Sequence, residues 1–160
     1  CAVGGVAGRA TASADALLWG VDPTAEPSAK LPCRPKVYFE EWDEPRISGI
    51  RWVAELVRIA GGDDIFPELA AQSLAKYRIL ADDHEIIARA PDIVFGSWCG
   101  KKFQPGKVAA RAGWASVPAV RDGELHEIKS PIILQPGPAA LTDGVAEMAR
   151  HIQRWAASRS

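Results

Sequence analysis

The chain has 160 residues, 19 basic against 20 acidic side chains for a formal net charge of −1, and a 48% apolar composition that includes six Trp and only two Tyr. That length suits one compact domain with a real core. The balanced charge, with no basic stripe interleaved with aromatics, gives no case for nucleic-acid binding, and no run approaches the roughly 18 apolar residues of a membrane-spanning helix. Three cysteines (Cys1, Cys33, Cys99) show neither metal-ligand spacing nor a C-x-x-C pair, which argues against a disulfide framework, although one bridge between two of them stays open. His84, His126 and His151 lie far apart in sequence without a ligand-spaced partner, so no metal site is expected.

Residues 1–33 are rich in Ala, Gly, Ser, Thr and Pro without sustained helical or strand period, and read as a poorly ordered or linker segment. The chain begins at Cys1 and its single methionine is Met148, as in a piece or processed product of a longer protein. Cys1 followed by a tether of small residues also fits the acylated start of a mature lipoprotein. From residue 34 the texture becomes alternating strands and helices. Residues 36–39 read as a buried strand, followed by an exposed loop where Glu40, Glu41, Asp43 and Glu44 surround Trp42. An amphipathic helix over residues 50–60 then carries Val53, Leu56, Val57 and Ala60 on one face, stopped by Gly61 and Gly62.

Residues 63–80 are irregular, with Pro67 breaking any long helix. Asp82 reads as an N-cap with Glu85 in capping-box relation, opening a helix over residues 83–89 that Pro91 ends. Residues 92–96 read as a short buried strand of the parallel-sheet kind, and residues 97–106 as its carboxyl-end loop. A short helix over residues 107–112 and a third strand over residues 117–121 follow, then an Asp122-Gly123 turn and an edge or hairpin strand over residues 124–128. Residues 131–137 read as a loop, and Pro138 opens a last helix whose Leu141, Val145, Met148, Ile152 and Trp155 form one stripe. The expected architecture is α/β: a three-layer α/β/α sandwich with a mostly parallel, Rossmann-like sheet of about four strands. Ligands of such sheets gather beyond the carboxyl ends of the strands, which directs attention to the first loop.

Chemical motifs are few. Two carboxylates of the 40–44 cluster would serve a hydrolase only if a cleft set them across from each other. Trp98-Cys99-Gly100 lacks a resolving cysteine, Lys102 standing in its place, so redox chemistry is not indicated. No glycine-rich phosphate loop precedes a helix.

The ordered set VYFEEWDEP, GIRWVAELVRIAGGDDIF, RAPDIVFGSW, VPAVRDGELHEI and QPGPAAL resembles the carboxy-terminal lobe of cobalamin-binding substrate-binding proteins of ABC transporters, a class that also handles haem and iron-siderophores. The likeness runs from Arg34 to Arg154 and defines residues 34–157 as that lobe, while residues 1–33 match neither the family's amino-terminal lobe nor its linking helix. It implies a non-enzymatic protein of the periplasm or cell envelope that needs no cofactor, takes cobalamin or a related corrinoid as bound ligand, and partners an ABC transporter permease. Ligand contacts carried over residue by residue are Glu41, Trp42, Trp52, Trp98 and Gln135. A broad corrin with amide arms suits indole faces and a few hydrogen-bonding groups. The permease-docking carboxylate of the family falls at His84, which leaves Asp83 and Glu85 as its candidates here. Haem or iron-siderophore binding, a hydrolase using the acidic cluster, and self-association through an exposed cleft face are the other readings.

Overall fold

The computed structural model describes Leu31 and residues 33–159. The expectation for residues 1–33, including the Cys1 anchor, lies almost wholly outside the described residues.

The central strand is β1, Lys36–Asp43. It pairs parallel with β5 (Ile93–Gly96), matching Val37 to Ile93 and Glu40 to Gly96, and β5 pairs parallel with β6 (Leu125–Glu127). On its other side β1 turns at Glu44-Pro45 into the antiparallel β2 (Arg46–Ser48), which pairs antiparallel with β4 (Ile79–Leu80). The short β3 (Asp63–Asp64) joins the amino end of β1 in parallel. The order β4-β2-β1-β5-β6, with β3 on β1, makes six strands among the described residues, mostly parallel in the centre and antiparallel at one edge. The sheet is thus larger than the four strands expected.

Side-chain alternation along β1 and β5 splits the interior into two cores, one on each face. Val37, Phe39, Ile93 and Phe95 pack under helix α1 (Arg51–Ile59) and the last helix α7 (Val145–Ala157), against Val53, Leu56, Val57, Met148 and Ile152. Tyr38 and Val94 point the other way, into a layer made by Phe66 of the α2 start (Pro67–Ala70), Ile86 of α3 (His84–Arg89), Val108 of α4 (Pro105–Ala109) and Trp114. This is the three-layer α/β/α arrangement. The helical stripes at positions 53, 56, 57 and at 145, 148, 152, 155 are buried as their spacing requires.

Several local expectations are corrected. Residues 40–43 are not an exposed loop: β1 continues to Asp43, and Glu40 and Asp43 are buried. Residues 117–121 are no strand. Pro118 opens a short helix α5 (Pro118–Arg121), and the Ala119 N–H goes to Pro91 O while Ala119 O accepts from Glu124, so the segment closes a turn beside the sheet. Strand β6 is an edge strand as expected, but joined in parallel, not as a hairpin partner. Part of the 131–137 loop is helix α6 (Ser130–Ile133). Asp82 accepts the His84 N–H at 2.9 Å just ahead of α3, and Asp83 occupies the cap position without a side-chain cap bond. The last helix starts at Pro138 and widens into a π-turn over Ala140–Gly144 before α7. Gly144 allows that turn to sit on α6, since a Cβ there would lie 2.7 Å from Ile132 O.

Candidate functional site at the carboxyl end of the sheet

Parallel strands β1, β5 and β6 deliver three chain segments to one end of the sheet: the β1–β2 turn, the loop of residues 97–104, and the stretch from Ile128 into α6. The amino end of α1 and the loop before the last helix join them. Trp42 is half-buried, its indole N–H donating to Glu44 O at 2.9 Å. It packs on the core layer that holds Trp98. Trp52, also half-buried, packs on the opposite core together with Ile132, Leu134 and Leu141. Gln135 is exposed next to Leu134. Trp42 and Trp52 therefore flank the sheet end from its two faces, with Gln135 on the Trp52 side.

Two of the expected ligand contacts have other work in this structure. Trp98 is only 2% exposed. Its indole N–H donates to Glu40 Oε1 at 3.0 Å and its ring meets Phe103 edge-on at 5.0 Å, so it is a core residue and no cleft wall. Glu41 Oε1 accepts the Ile50 N–H at 2.7 Å and its Oε2 pairs with the buried Arg78 at 2.8 Å, while Arg78 also donates to Ser48 O. That carboxylate fastens the loop between β2 and α1.

The acidic run is answered by a basic segment that sequence reasoning treated separately. Glu40 faces the second core, fully buried, and Arg111 donates to both its oxygens at 2.8 and 2.9 Å. Burial works against the Arg111 charge, but the hydrogen bonds and charge of Glu40 prevail and raise its pKa above the usual arginine value. Burial, then the Glu40 charge, push the phenol of Tyr38, two residues earlier in the strand, well above its ordinary range. Asp43 holds Lys101 at 2.7 Å and Lys107 at 2.8 Å. Burial alone would lift its carboxyl, yet the two ammoniums hold it below the ordinary carboxylate range. The cations at positions 101, 107 and 111 were legible as a complement to the acids at 40 and 43, had the two runs been read as strand and facing loop. With Glu40 and Glu41 each paired with an arginine and Asp43 with two lysines, these carboxylates offer no free pair for acid–base work. Among the described residues no group of three or more His, Cys, Asp or Glu is placed to hold a metal ion.

The docking candidates are separated by the fold. Asp83 is half-buried and paired with Arg46. Glu85 is 61% exposed, 3.5 Å from Arg89 within the same helix. Elsewhere, a groove of about 560 Å³ runs between α1, β3 and α2 past Arg58, Asp63 and Asp64, at the amino end of β1.

The family profile described as "Periplasmic binding protein" matches residues 21–132, more than half of the chain. No curated protein sequence matches. Among solved structures, the periplasmic vitamin B12 binding protein BtuF of Vibrio cholerae superposes with a TM-score of 0.60 at 16% identity, over 80% of this chain and 47% of that one. The periplasmic heme-binding protein BhuT gives 0.62 at 20% identity, over 81% and 49%. The Helicobacter pylori CeuE structure with bound Ni(II) gives 0.64 at 12% identity, over 95% and 45%. The chain thus spans about half the length of these relatives, which share its α/β fold. The chain belongs to the periplasmic binding protein family.

Proposed function

We propose that residues 34–157 are the carboxy-terminal lobe of a cell-envelope substrate-binding protein that captures a corrinoid, cobalamin in the first instance, and hands it to the permease of an ABC importer. The observation that carries this is the convergence of Trp42, Trp52 and Gln135 on the carboxyl end of a parallel sheet, in a chain of this family. Half-exposed indoles offer apolar faces to a large ring ligand, and Gln135 offers donors and an acceptor to its amide arms. Trp98 supports the site from beneath by packing, and Glu41 by holding the α1 entrance. No bond is made or broken. Glu85 is the docking carboxylate, because Asp83 is engaged by Arg46. A second reading, a haem or iron-chelate lobe, is favoured by the Lys101 ammonium beside Trp42 and by the likeness to a heme-binding protein.

Titration of the chain with cyanocobalamin and separately with hemin, followed by tryptophan fluorescence and calorimetry, tests the proposal. Saturable binding of cyanocobalamin that weakens about tenfold or more in Trp42→Ala, a loss of about 1.4 kcal/mol or more, is expected. Saturable binding of hemin alone would move the assignment to the second reading. A folded chain that binds neither ligand would overturn both.

A further inference from the structure

Three features of the fold could bind something besides the ring ligand. The groove at the amino end of β1 has mixed charge on its walls and nothing to identify an occupant. The stacked pair His126 and His151, 4.0 Å apart, has Glu124 and Arg154 on the His126 ring, while His151 Nδ1 is buried without a partner among the described residues and faces no cavity that would take a ligand. The lysines on Asp43 do face outward.

Asp43 is the last residue of β1, with a side chain 1% exposed. Lys101 Nζ contacts both its oxygens at 2.7 Å, and Lys107 Nζ contacts Oδ2 at 2.8 Å. Two ammoniums on the same carboxylate oxygen are close neighbours, and one negative charge answers two positive ones. Among the described residues neither lysine pairs with any other carboxylate. The nearest acids in the chain are otherwise placed: Glu44 points to solvent and Glu127 accepts the Phe103 N–H. Both lysines keep outward-facing surface, 38% and 47%. The Lys101 ammonium lies 5.4 Å from the Trp42 ring centre and 5.1 Å from that of Trp98, and the Lys107 ammonium 5.9 Å from the latter. The half-buried Trp42 indole at the side and the buried Trp98 ring beneath weaken screening there, so the surplus charge draws an anion more strongly than a free surface lysine does.

We infer that Lys101 and Lys107, bridged by Asp43, beside Trp42 and above the buried Trp98, form a subsite for an oxyanion on the ligand. The inference rests on the reading of the sheet end as the ligand face. It deepens that reading by naming a chemical requirement: a large ring compound bearing a carboxylate or a phosphate ester beside the part that lies on Trp42. Each lysine retains donors for such a group after serving Asp43.

The first arm titrates the chain with inorganic phosphate, and in parallel with succinate, at fixed ionic strength, reading backbone amide shifts at residues 42, 101 and 107. Saturable shifts confined to these residues are expected, weakened about tenfold in Lys107→Met and recovered in Lys107→Arg. Lys107→Met keeps the Asp43–Lys101 pair, so the wall stands with its surplus charge gone. Phosphate responding alone points to a phosphate ester, and succinate alone to a carboxylate. Shifts that are linear, or equally large at Lys76, Lys102 and Lys129, would overturn the inference. The second arm compares cyanocobalamin with dicyanocobinamide, which lacks the phosphodiester, and with hemin, which carries carboxylates. The oxyanion-bearing ligands are expected to lose about tenfold in Lys107→Met while cobinamide does not. Ligand binding that depends on Trp42 but is untouched by Lys107→Met would overturn the subsite and leave the proposed function intact. Saturable phosphate shifts in a chain that binds none of the three would uphold the subsite and overturn the proposed function.

Discussion

Replacing Arg111 by Met removes the only cation that, among the described residues, pairs with Glu40, a carboxylate with no access to water. Glu40 is 0% and Arg111 8% exposed in their side chains, and the pair makes two hydrogen bonds of 2.8 and 2.9 Å. Breaking a buried pair from one side strands the remaining charge, at a cost of about 3–5 kcal/mol. One neutral donor, the Trp98 indole N–H, stays on Glu40 Oε1 and offsets a minor part. With a urea m-value of about 2 kcal/mol/M, the unfolding midpoint of Arg111→Met should fall by roughly 2 M. The double variant Glu40→Gln/Arg111→Met keeps an acceptor for Trp98 without the stranded charge, and should recover more than half of that loss. Midpoints followed by tryptophan fluorescence, with m held constant, measure both. An Arg111→Met shift below about 0.5 M, or a double variant no better than the single, would refute the view that the acidic strand is folded by its basic counterpart.

Three further outcomes follow from the same geometry. Asp43 has a depressed folded pKa, so its stabilisation is present above the ordinary carboxylate range and is lost as pH falls through the folded value; Asp43→Asn should be less stable at neutral pH and flatten the acid limb below about pH 4, and an unchanged acid limb would contradict this. Burial pushes the Asp64 carboxyl up to about 6, so the native state binds a proton that the unfolded chain has released, and stability drops as pH rises between about 4 and 6. Asp64→Asn should therefore gain on the parent across that window, by up to about 3 kcal/mol, whereas a gap constant with pH in urea melts would contradict the assignment. A Cβ on Gly96 would lie 1.9 Å from Phe103 Cδ2; Gly96→Ala should cost about 1–3 kcal/mol by thermal or urea unfolding and be partly repaired by Phe103→Leu, and a neutral Gly96→Ala would show that the loop after β5 moves freely.

The helices α1 and α7 were legible because their apolar positions repeat at helical spacing, and β5 because Ile93, Val94 and Phe95 run unbroken between Asp92 and Gly96. Their burial is as expected. What misled was charge. Glu40 to Glu44 read as a solvated loop, since buried carboxylates are rare unless paired, and the pairing cations lie 37 to 71 residues away. The segment at 117–121 misled in the other direction: two valines suggested strand, while Pro118 and the Asp122-Gly123 turn left only one helical turn between them. Of the expected ligand contacts, Trp42, Trp52 and Gln135 remain accessible in the structure, but sequence could not tell an indole on the rim from one beneath it. Trp98 is the case in point, because its burial depends on Phe103 and on the Glu40 carboxylate, neither of which a spacing rule connects to it.

The central claim, that the ligand face is the carboxyl end of the sheet, is tested most directly by backbone amide hydrogen exchange with and without saturating cyanocobalamin. The account predicts slowed exchange in residues 41–52, 97–102 and 128–135, with the groove past Arg58 and Asp64 unchanged. Protection confined to that groove, with the three carboxyl-end segments exchanging as they do in the free chain, would contradict it.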